Sequence, residues 1–319
     1  MLEVIFLIIG FIMIIKASDV LVDAASSIAT RFNVPKMLIA LTIVSFGTCA
    51  PEVAISFNSV MAKNGTMAFA NVIGSCIVNV FLIIGIAAMT KAIKVKHITI
   101  KKELPILLLV TTSFSVLMLD SLFNTKNANV FSRADGIVLI LLFFMFVAYL
   151  IQLFRGRAIE EAEESVEIKY DNIFIAITLL ILSIVMICMS SDVIVDNAVK
   201  LATAIGISEK IITMTAVVIG TSLPELMLTV SSARKGEFDM TIGNIVGTNI
   251  FNVCIVLGLP VAIYGDILLE SFSIVDILVV FLSSFDLFLF ARSERTISKK
   301  EGILMIMIFI VYYAYLFMQ

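Results

Sequence analysis

Long blocks of apolar residues dominate this sequence and restrict what it can fold into. Each block runs for about twenty residues, the length that an α-helix needs to cross a hydrocarbon core of roughly 30 Å. Backbone groups in lipid must form their hydrogen bonds internally, so such blocks predict transmembrane helices. Only 15% of the 319 residues are charged, and the mean hydropathy is +1.12. We expect an all-α, multi-pass protein of the cell inner (plasma) membrane, surrounded by the lipid bilayer.

Ten apolar blocks can be counted along the chain, and the basic residues between them indicate an orientation. The blocks cover residues 2–30, 36–62, 66–90, 103–121, 133–154, 171–204, 208–233, 239–263, 271–292 and 301–318. With the N-terminus outside, the cytoplasmic loops hold 16 Lys and Arg residues and the outer loops hold 5. Because basic residues concentrate in cytoplasmic loops, the sequence predicts ten transmembrane helices with both termini outside.

The chain also contains an internal repeat. When it is shifted by 173 residues, residues 17–85 align without a gap to residues 190–258, and 23 of the 69 positions are identical. Chance similarity between apolar helices would not match Asn, Pro, Glu and Asp in register. Because each half holds an odd number of blocks, the second copy must cross the membrane in the opposite sense, which is typical of transporters with a midplane binding site. We expect two inverted five-helix repeats, at residues 1–154 and 171–319, joined by a short acidic cytoplasmic linker at 155–170.

The second and seventh blocks carry the most informative motif of the repeat. Residues 47–52 read Gly-Thr-Cys-Ala-Pro-Glu, and residues 220–225 read Gly-Thr-Ser-Leu-Pro-Glu. Proline removes an amide donor and clashes with the carbonyl one turn back, so each motif predicts an interrupted helix. The carbonyl groups of residues 47–48 and 220–221 are expected to point away from the helix, where their oxygens can coordinate a cation.

Glu52 and Glu225 are ionisable residues inside apolar blocks, and such residues mark functional sites by default. The competing interpretation is a protonated glutamate bonded to a neighbouring helix. Two glutamates that converge would require protons or a cation between them. Two carboxylates supply up to four oxygens, and the carbonyls of Thr48 and Thr221 raise the count to six, which suits Ca²⁺.

Polar side chains at helical spacing follow the same repeat. They are Asn71, Ser75 and Asn79; their copies Asn244, Thr248 and Asn252; Ser45, Cys49, Ser56 and Ser59; and Ser222, Thr229 and Ser232. Hydroxyl and amide oxygens suit Na⁺, although such residues also serve as hydrogen-bonded contacts between membrane helices. We assign the duplicated Gly74, Gly85, Gly247 and Gly258 to close helix packing.

Other chemistries find little support in the sequence. The four cysteines lie in apolar blocks without CxxC spacing, so neither a disulfide framework nor a zinc site is predicted. There is no basic patch interleaved with aromatic residues, so a nucleic-acid partner is not expected. No nucleophile–base pair is visible, so the chain is not expected to be an enzyme or to need a cofactor.

The two motifs resemble the α-repeats of the cation/calcium exchanger superfamily, most closely those of prokaryotic sodium/calcium exchangers. The resemblance implies a ten-helix antiporter that exchanges several Na⁺ for one Ca²⁺ by alternating access and functions as a monomer. It implies that the first and sixth helices slide across a core made of the second, third, seventh and eighth. The implied ligands of Ca²⁺ and Na⁺ are Glu52, Glu225, Thr48, Thr221, Ser75, Thr248, Ser222, Asn79 and Asn252, with Cys49 at a ligand position.

The chain departs from the family pattern at two of these positions. Cys49 stands where the family usually has Ser, and a thiol is a poor ligand for a hard cation. Asn252 stands where potassium-dependent relatives carry Asp, which argues against K⁺ co-transport. The main competing function is a Ca²⁺/H⁺ antiporter that uses the same carboxylate pair. A cation channel is less favoured, because the repeat is inverted within one chain.

Overall fold

The computed structural model describes residues 2–32, 34–119, 130–156, 169–204, 218–268 and 273–318, and these residues are mostly helical. Long apolar runs with internally bonded backbones account for this content. The helices, in chain order, are α1 (Leu2–Arg31), α2 (Lys36–Thr48), α3 (Ala50–Met61), α4 (Gly65–Thr90), α5 (Leu104–Leu117), α6 (Arg133–Gly156), α7 (Ile173–Ala204), α8 (Val218–Thr221), α9 (Leu223–Lys235), α10 (Phe238–Tyr264), α11 (Ile274–Arg292) and α12 (Lys299–Met318).

The helices form a buried centre and a lipid-facing periphery. In the most apolar 18-residue stretch of α4 and of α10, 78% of the residues are buried inside the protein, against 28% in the corresponding stretches of α1, α6 and α7. The two long helices α1 and α7 pack against each other, and exposed Ile, Val, Phe and Met side chains cover their outer faces. This arrangement suits a protein whose outer surface contacts lipid rather than water, and it confirms the expectation of a multi-pass membrane protein.

Glycines set the closest approaches between the central helices and their neighbours. A Cβ atom on Gly85 of α4 would lie 3.0 Å from the carbonyl oxygen of Gly302 on α12. A Cβ atom on Gly258 of α10 would lie 3.2 Å from the carbonyl oxygen of Gly136 on α6. A Cβ atom on Gly247 would lie 2.5 Å from Ser45 Oγ. The prediction that the duplicated glycines allow close packing is therefore confirmed at these three positions.

Two short antiparallel ribbons connect distant parts of the chain. Strand β1 (Ile93–Lys94), which follows α4, pairs with β4 (Thr296–Ile297), which lies between α11 and α12. Strand β2 (Val130–Phe131), which precedes α6, pairs with β3 (Ile267–Leu268), which follows α10. Each ribbon thus joins the first half of the chain to the second, and the two pairings are counterparts of each other.

Each predicted apolar block contains at least one helix in the structure. By length and composition, six of the helices in the described ranges could cross a membrane, or seven when α2 and α3 count as one bent span. The predicted number of ten spans and the orientation of the termini are not decided by this criterion. Residues 208–217 of the predicted seventh block and most of the predicted linker at 155–170 lie outside the described residues.

Candidate cation-binding site

Both predicted helix interruptions are present at the motif. The axis bends by 53° between α2 and α3, and the break falls at Cys49, with φ −77° and ψ 5°. The second break falls at Ser222, between α8 and α9, with φ −87° and ψ 4°. Pro51 and Pro224 lie in the first turn of the helix that follows, where a missing amide donor costs nothing. Proline therefore ends one helix and begins the next, as the sequence predicts.

Glu52 and Glu225 each lie in the first turn after a break. Their side chains are only 1% and 0% exposed to solvent. The amide groups at a helix N-terminus favour negative charge there, which lowers the cost of burying a carboxylate in this position. The break and the carboxylate thus form one local motif, and the chain contains this motif twice.

The two copies of this motif are in contact. The thiol of Cys49 donates to Glu225 Oε1 at a distance of 3.9 Å, so the first break touches the second carboxylate. The side chain of Thr48 also approaches Glu225, and the side chain of Thr221 approaches Glu52. Each carboxylate therefore lies beside the helix break of the other half of the chain.

Asn71 and Asn244 hold the helices around the site together. Asn71 Nδ2 donates to the carbonyl oxygen of Glu52 at 3.0 Å and to Ser56 Oγ at 2.9 Å. Its copy, Asn244, donates to Thr229 Oγ1 at 3.1 Å. Their amide groups therefore link α3 to α4 and α9 to α10, which is the alternative role that the sequence leaves open for these residues.

Asn79 and Asn252 lie further along α4 and α10, in π-helical turns that the sequence does not predict. These turns cover Val78–Ile84 in α4 and Asn252–Leu257 in α10, and π-helical turns within α-helices frequently mark functional sites. Asn79 Nδ2 donates to Asn249 Oδ1 at 2.9 Å, and Asn249 Nδ2 donates to the carbonyl oxygen of Cys76 at 3.3 Å. The sequence does not predict a role for Asn249, because its counterpart in the first repeat is Cys76 and the amide is therefore not duplicated.

The structure shows which groups the carbonyl oxygens of Gly47 and Gly220 face. The carbonyl oxygen of Gly220 accepts a hydrogen bond from Ser191 Oγ on α7 at 2.8 Å. The carbonyl oxygen of Gly47 faces the thiol of Cys188, also on α7, at 3.9 Å. Both carbonyls point away from their own helices, as predicted, and each faces a side chain of α7. The carbonyls of Thr48 and Thr221 stay the predicted backbone ligands.

Many buried oxygen atoms on α3, α4, α9 and α10 and at the second helix break have no donor at hydrogen-bonding geometry within the described residues. These atoms are both carboxylate oxygens of Glu52, Oε2 of Glu225, the hydroxyls of Ser75, Ser222 and Thr248, and the Oδ1 atoms of Asn71, Asn79, Asn244 and Asn252. Unpaired buried oxygens are costly, so each one needs an explanation. A bound cation would explain them, because carboxylate, hydroxyl and amide oxygens are the ligands of hard cations such as Ca²⁺.

Ligand type separates this arrangement from a transition-metal centre. No group of three or more His, Cys, Asp and Glu side chains that could hold a metal occurs in the ranges that the structure covers. The predicted site contains two carboxylates and otherwise neutral oxygens, with one thiol at its edge. Fold and site together define a multi-pass membrane protein with a candidate site for hard cations.

Comparison with known proteins identifies the family. The family model described as sodium/calcium exchanger protein matches residues 2–152 and 175–318, so the chain belongs to the sodium/calcium exchanger family, as its motifs indicate. This is a family of membrane transporters rather than enzymes. The chain is 35% identical to the inner membrane protein YrbG of Escherichia coli over 263 residues, which cover 81% of this chain and 78% of YrbG.

Two further similarities extend over almost the full length. The chain is 33% identical to the putative antiporter CaxA of Alkalimonas amylolytica, with 98% of both proteins covered. A solved structure of the sodium-calcium exchanger NCX_Mj, soaked with Na⁺ and Ca²⁺, superposes with a TM-score of 0.83 at 29% sequence identity and covers 98% of each chain. The overall architecture of the chain is therefore that of a sodium/calcium exchanger.

Proposed function

We propose that the protein is a secondary active antiporter that exchanges Na⁺ for Ca²⁺ across the membrane. The observation that carries this proposal is the set of buried oxygens, those of Glu52 and Glu225 among them, that lack hydrogen-bond donors among the described residues. They come from both halves of the chain and are of the types that bind hard cations. Family membership supports the same ions.

We assign the ligands as follows. Glu52 and Glu225 provide the charge, and one Ca²⁺ or several Na⁺ neutralise them. Neutral oxygens complete the coordination; we assign this role to Thr48, Thr221, Ser75, Thr248, Ser222, Asn79 and Asn252, with Cys49 beside Glu225. Ca²⁺ and the set of Na⁺ ions cannot occupy the same carboxylates at the same time, so binding of one excludes the other.

Coupling follows from the cost of charge in a membrane. An empty site would carry two negative charges in a region of low dielectric, where an unpaired charge is expensive. Loaded states can therefore change conformation more readily than the empty one, and each crossing carries an ion. We infer that α1 and α7 form the moving element, since they pack together at the periphery and α7 contacts Gly47 and Gly220, which lie just before the two helix breaks.

An inverted repeat provides the two equivalent conformations that alternating access needs. The paired ribbons β1–β4 and β2–β3 support it, because each joins one half of the chain to the other in the corresponding place. We propose ten transmembrane helices in two five-helix repeats, at 1–154 and 171–319, with a cytoplasmic linker at 155–170, both termini outside and a functional monomer.

A Na⁺-gradient experiment tests the proposal. Purified protein is reconstituted into liposomes loaded with Na⁺ and diluted into Na⁺-free or Na⁺-matched buffer at constant pH, and ⁴⁵Ca²⁺ uptake is measured. We expect uptake only when the Na⁺ gradient points outward. Uptake that ignores Na⁺ but follows an imposed pH gradient would overturn the assignment of Na⁺ and favour the Ca²⁺/H⁺ alternative.

A further inference from the structure

The two helix breaks carry different side chains in the same local geometry. Cys49 and Ser222 occupy equivalent positions of the repeat, and their backbone angles differ by 10° or less. Both side chains are buried, at 0% and 1% exposure. The fold therefore presents a thiol at one break where it presents a hydroxyl at the other.

The thiol of Cys49 faces groups that themselves indicate a ligand. It lies 3.9 Å from Glu225 Oε1, and the side chain of Thr248 lies beside it. Glu225 Oε2 and Thr248 Oγ1 are buried and have no donor at hydrogen-bonding geometry among the described residues. One thiol, one carboxylate and one hydroxyl thus converge on the same space.

This combination changes which cations the site prefers. Sulfur is a soft ligand that binds Na⁺ and Ca²⁺ poorly and binds soft divalent cations well. We propose that Cys49 is a specificity-determining residue, which makes the half of the site next to Glu225 a high-affinity site for soft divalent cations such as Cd²⁺. When Cd²⁺ binds, a sulfur–cadmium bond replaces the S–H bond and the proton leaves to water, without any change in oxidation state.

A soft cation held in this way would block exchange. The proposal rests on the proposed function in one respect, since Cd²⁺ bound at Glu225 would exclude Ca²⁺ and Na⁺ from the shared carboxylate. Cd²⁺ has the same charge as Ca²⁺ and nearly the same ionic radius. A difference between the two ions at this site therefore reports on the softness of the ligand rather than on size or charge.

Cys188 provides a matched control within the same chain. Its thiol lies on α7 near the same break, but it faces the carbonyl oxygen of Gly47 rather than a carboxylate. It is also partly exposed, whereas Cys49 is fully buried. Replacement of Cys188 by Ser removes a nearby thiol and leaves the contact between Cys49 and Glu225 in place.

The first experiment measures inhibition of Na⁺-driven ⁴⁵Ca²⁺ uptake by Cd²⁺ in proteoliposomes without reducing agent. We expect Cys49→Ser to raise the half-inhibitory Cd²⁺ concentration at least about tenfold, because a hydroxyl replaces the soft ligand. We expect Cd²⁺ to inhibit Cys188→Ser at the same half-inhibitory concentration as the wild type. Equal sensitivity of the wild type and Cys49→Ser would overturn the proposal, as would an equal loss of sensitivity in both variants.

A second measurement does not depend on transport. Cd²⁺ is titrated into the purified protein in detergent, and the ultraviolet absorption of sulfur-to-cadmium charge transfer is recorded. We expect a saturable band in the wild type and in Cys188→Ser, and no such band in Cys49→Ser. A band that survives in Cys49→Ser would overturn the proposal. If the band behaves as expected while no Na⁺-driven uptake is found, the proposed function fails and the cadmium site stands.

Discussion

The hydroxyl groups of Thr111 on α5 and Ser284 on α11 lie 2.9 Å apart, and the two residues are separated by 173 positions in the sequence. The same offset relates the two copies of the glutamate motif. Asn249 and Cys76, which also form a hydrogen bond, are again 173 positions apart. A residue that touches its own repeat counterpart is expected where the axis relating the two copies passes. These contacts therefore fit an architecture in which the halves are related by a twofold axis.

Loss of the Thr111 hydroxyl is expected to destabilise the protein. Thr111→Val leaves Ser284 without a partner in an apolar interface, and a hydrogen bond between membrane helices contributes about 1 kcal/mol. Thr112→Val is the matched control, because the Thr112 hydroxyl bonds to the carbonyl of Leu108 in its own helix at 2.6 Å. Thermal unfolding in detergent, followed by circular dichroism, should show a lower Tm for Thr111→Val than for Thr112→Val. Equal Tm values would contradict this prediction.

A methyl group at Gly136 is expected to disturb the contact between α6 and α10. Its Cβ atom would lie 2.7 Å from the carbonyl oxygen of Gly258 and 2.9 Å from the amide nitrogen of Ala262, so backbone atoms would have to move. Overpacking of this kind costs about 1–3 kcal/mol. Leu141→Ala is a suitable control, because Leu141 lies on the same helix and is 60% exposed. The prediction fails if Gly136→Ala unfolds at the wild-type temperature.

Asp23 is expected to hold the second half of α1 against its neighbours. Its carboxylate forms salt bridges with Lys235, at the end of α9, at 2.6 Å and with Lys169 at 2.5 Å. Its repeat counterpart Asp196, on α7, is exposed and forms no salt bridge with any residue that the structure describes. Asp23→Asn should therefore loosen α1, whereas Asp196→Asn should have little effect.

Hydrogen–deuterium exchange measures this difference. We expect faster amide exchange in residues 19–31 of Asp23→Asn than in the wild type, and a loss of stability of about 1 kcal/mol or less, the range of partly exposed ion pairs. The Asp196→Asn protein should exchange like the wild type in the corresponding part of α7. Unchanged exchange in α1 of Asp23→Asn would show that these salt bridges do not restrain the helix.

Asn252 is expected to keep exchange independent of K⁺. Its side chain is buried and neutral, and its amide group has no hydrogen-bond partner among the described residues. The resemblance places Asp here in potassium-dependent relatives. Replacing K⁺ by choline should leave Na⁺-driven ⁴⁵Ca²⁺ uptake unchanged in the wild type, and a strict need for K⁺ would contradict the role assigned to Asn252.

The sequence predicts the helical segments and both helix breaks well, because apolar length and proline act locally. Burial of Glu52 and Glu225 was also predictable, since both lie deep within apolar blocks. Contact between the two breaks could be predicted only from the repeat, because equivalent motifs in two inverted halves are expected to lie at the same interface. The repeat itself can be recognised because Gly, Pro, Glu and Asn recur in register and cannot be confused with ordinary apolar similarity.

Other features depend on tertiary contacts that have no local signal. The carbonyl groups of Gly47 and Gly220 turn to α7 because Cys188 and Ser191 happen to face them there. The role of Asn249 depends on its contact with Asn79 across the interface between α4 and α10. The π-helical turns depend on packing of the central helices, and proline or glycine patterns do not encode them.

Calcium binding to the purified protein tests the central claim most directly, since it isolates the site from transport. Isothermal titration in detergent should detect Ca²⁺ binding in Na⁺-free buffer and a progressive loss of apparent affinity as Na⁺ is added. Glu52→Gln and Glu225→Gln should each weaken binding at least about a hundredfold, because removing one carboxylate from a buried Ca²⁺ site removes both charge and ligands. A folded Glu52→Gln or Glu225→Gln variant that still binds Ca²⁺ with wild-type affinity, or binding that Na⁺ does not affect, would contradict a shared site at Glu52 and Glu225.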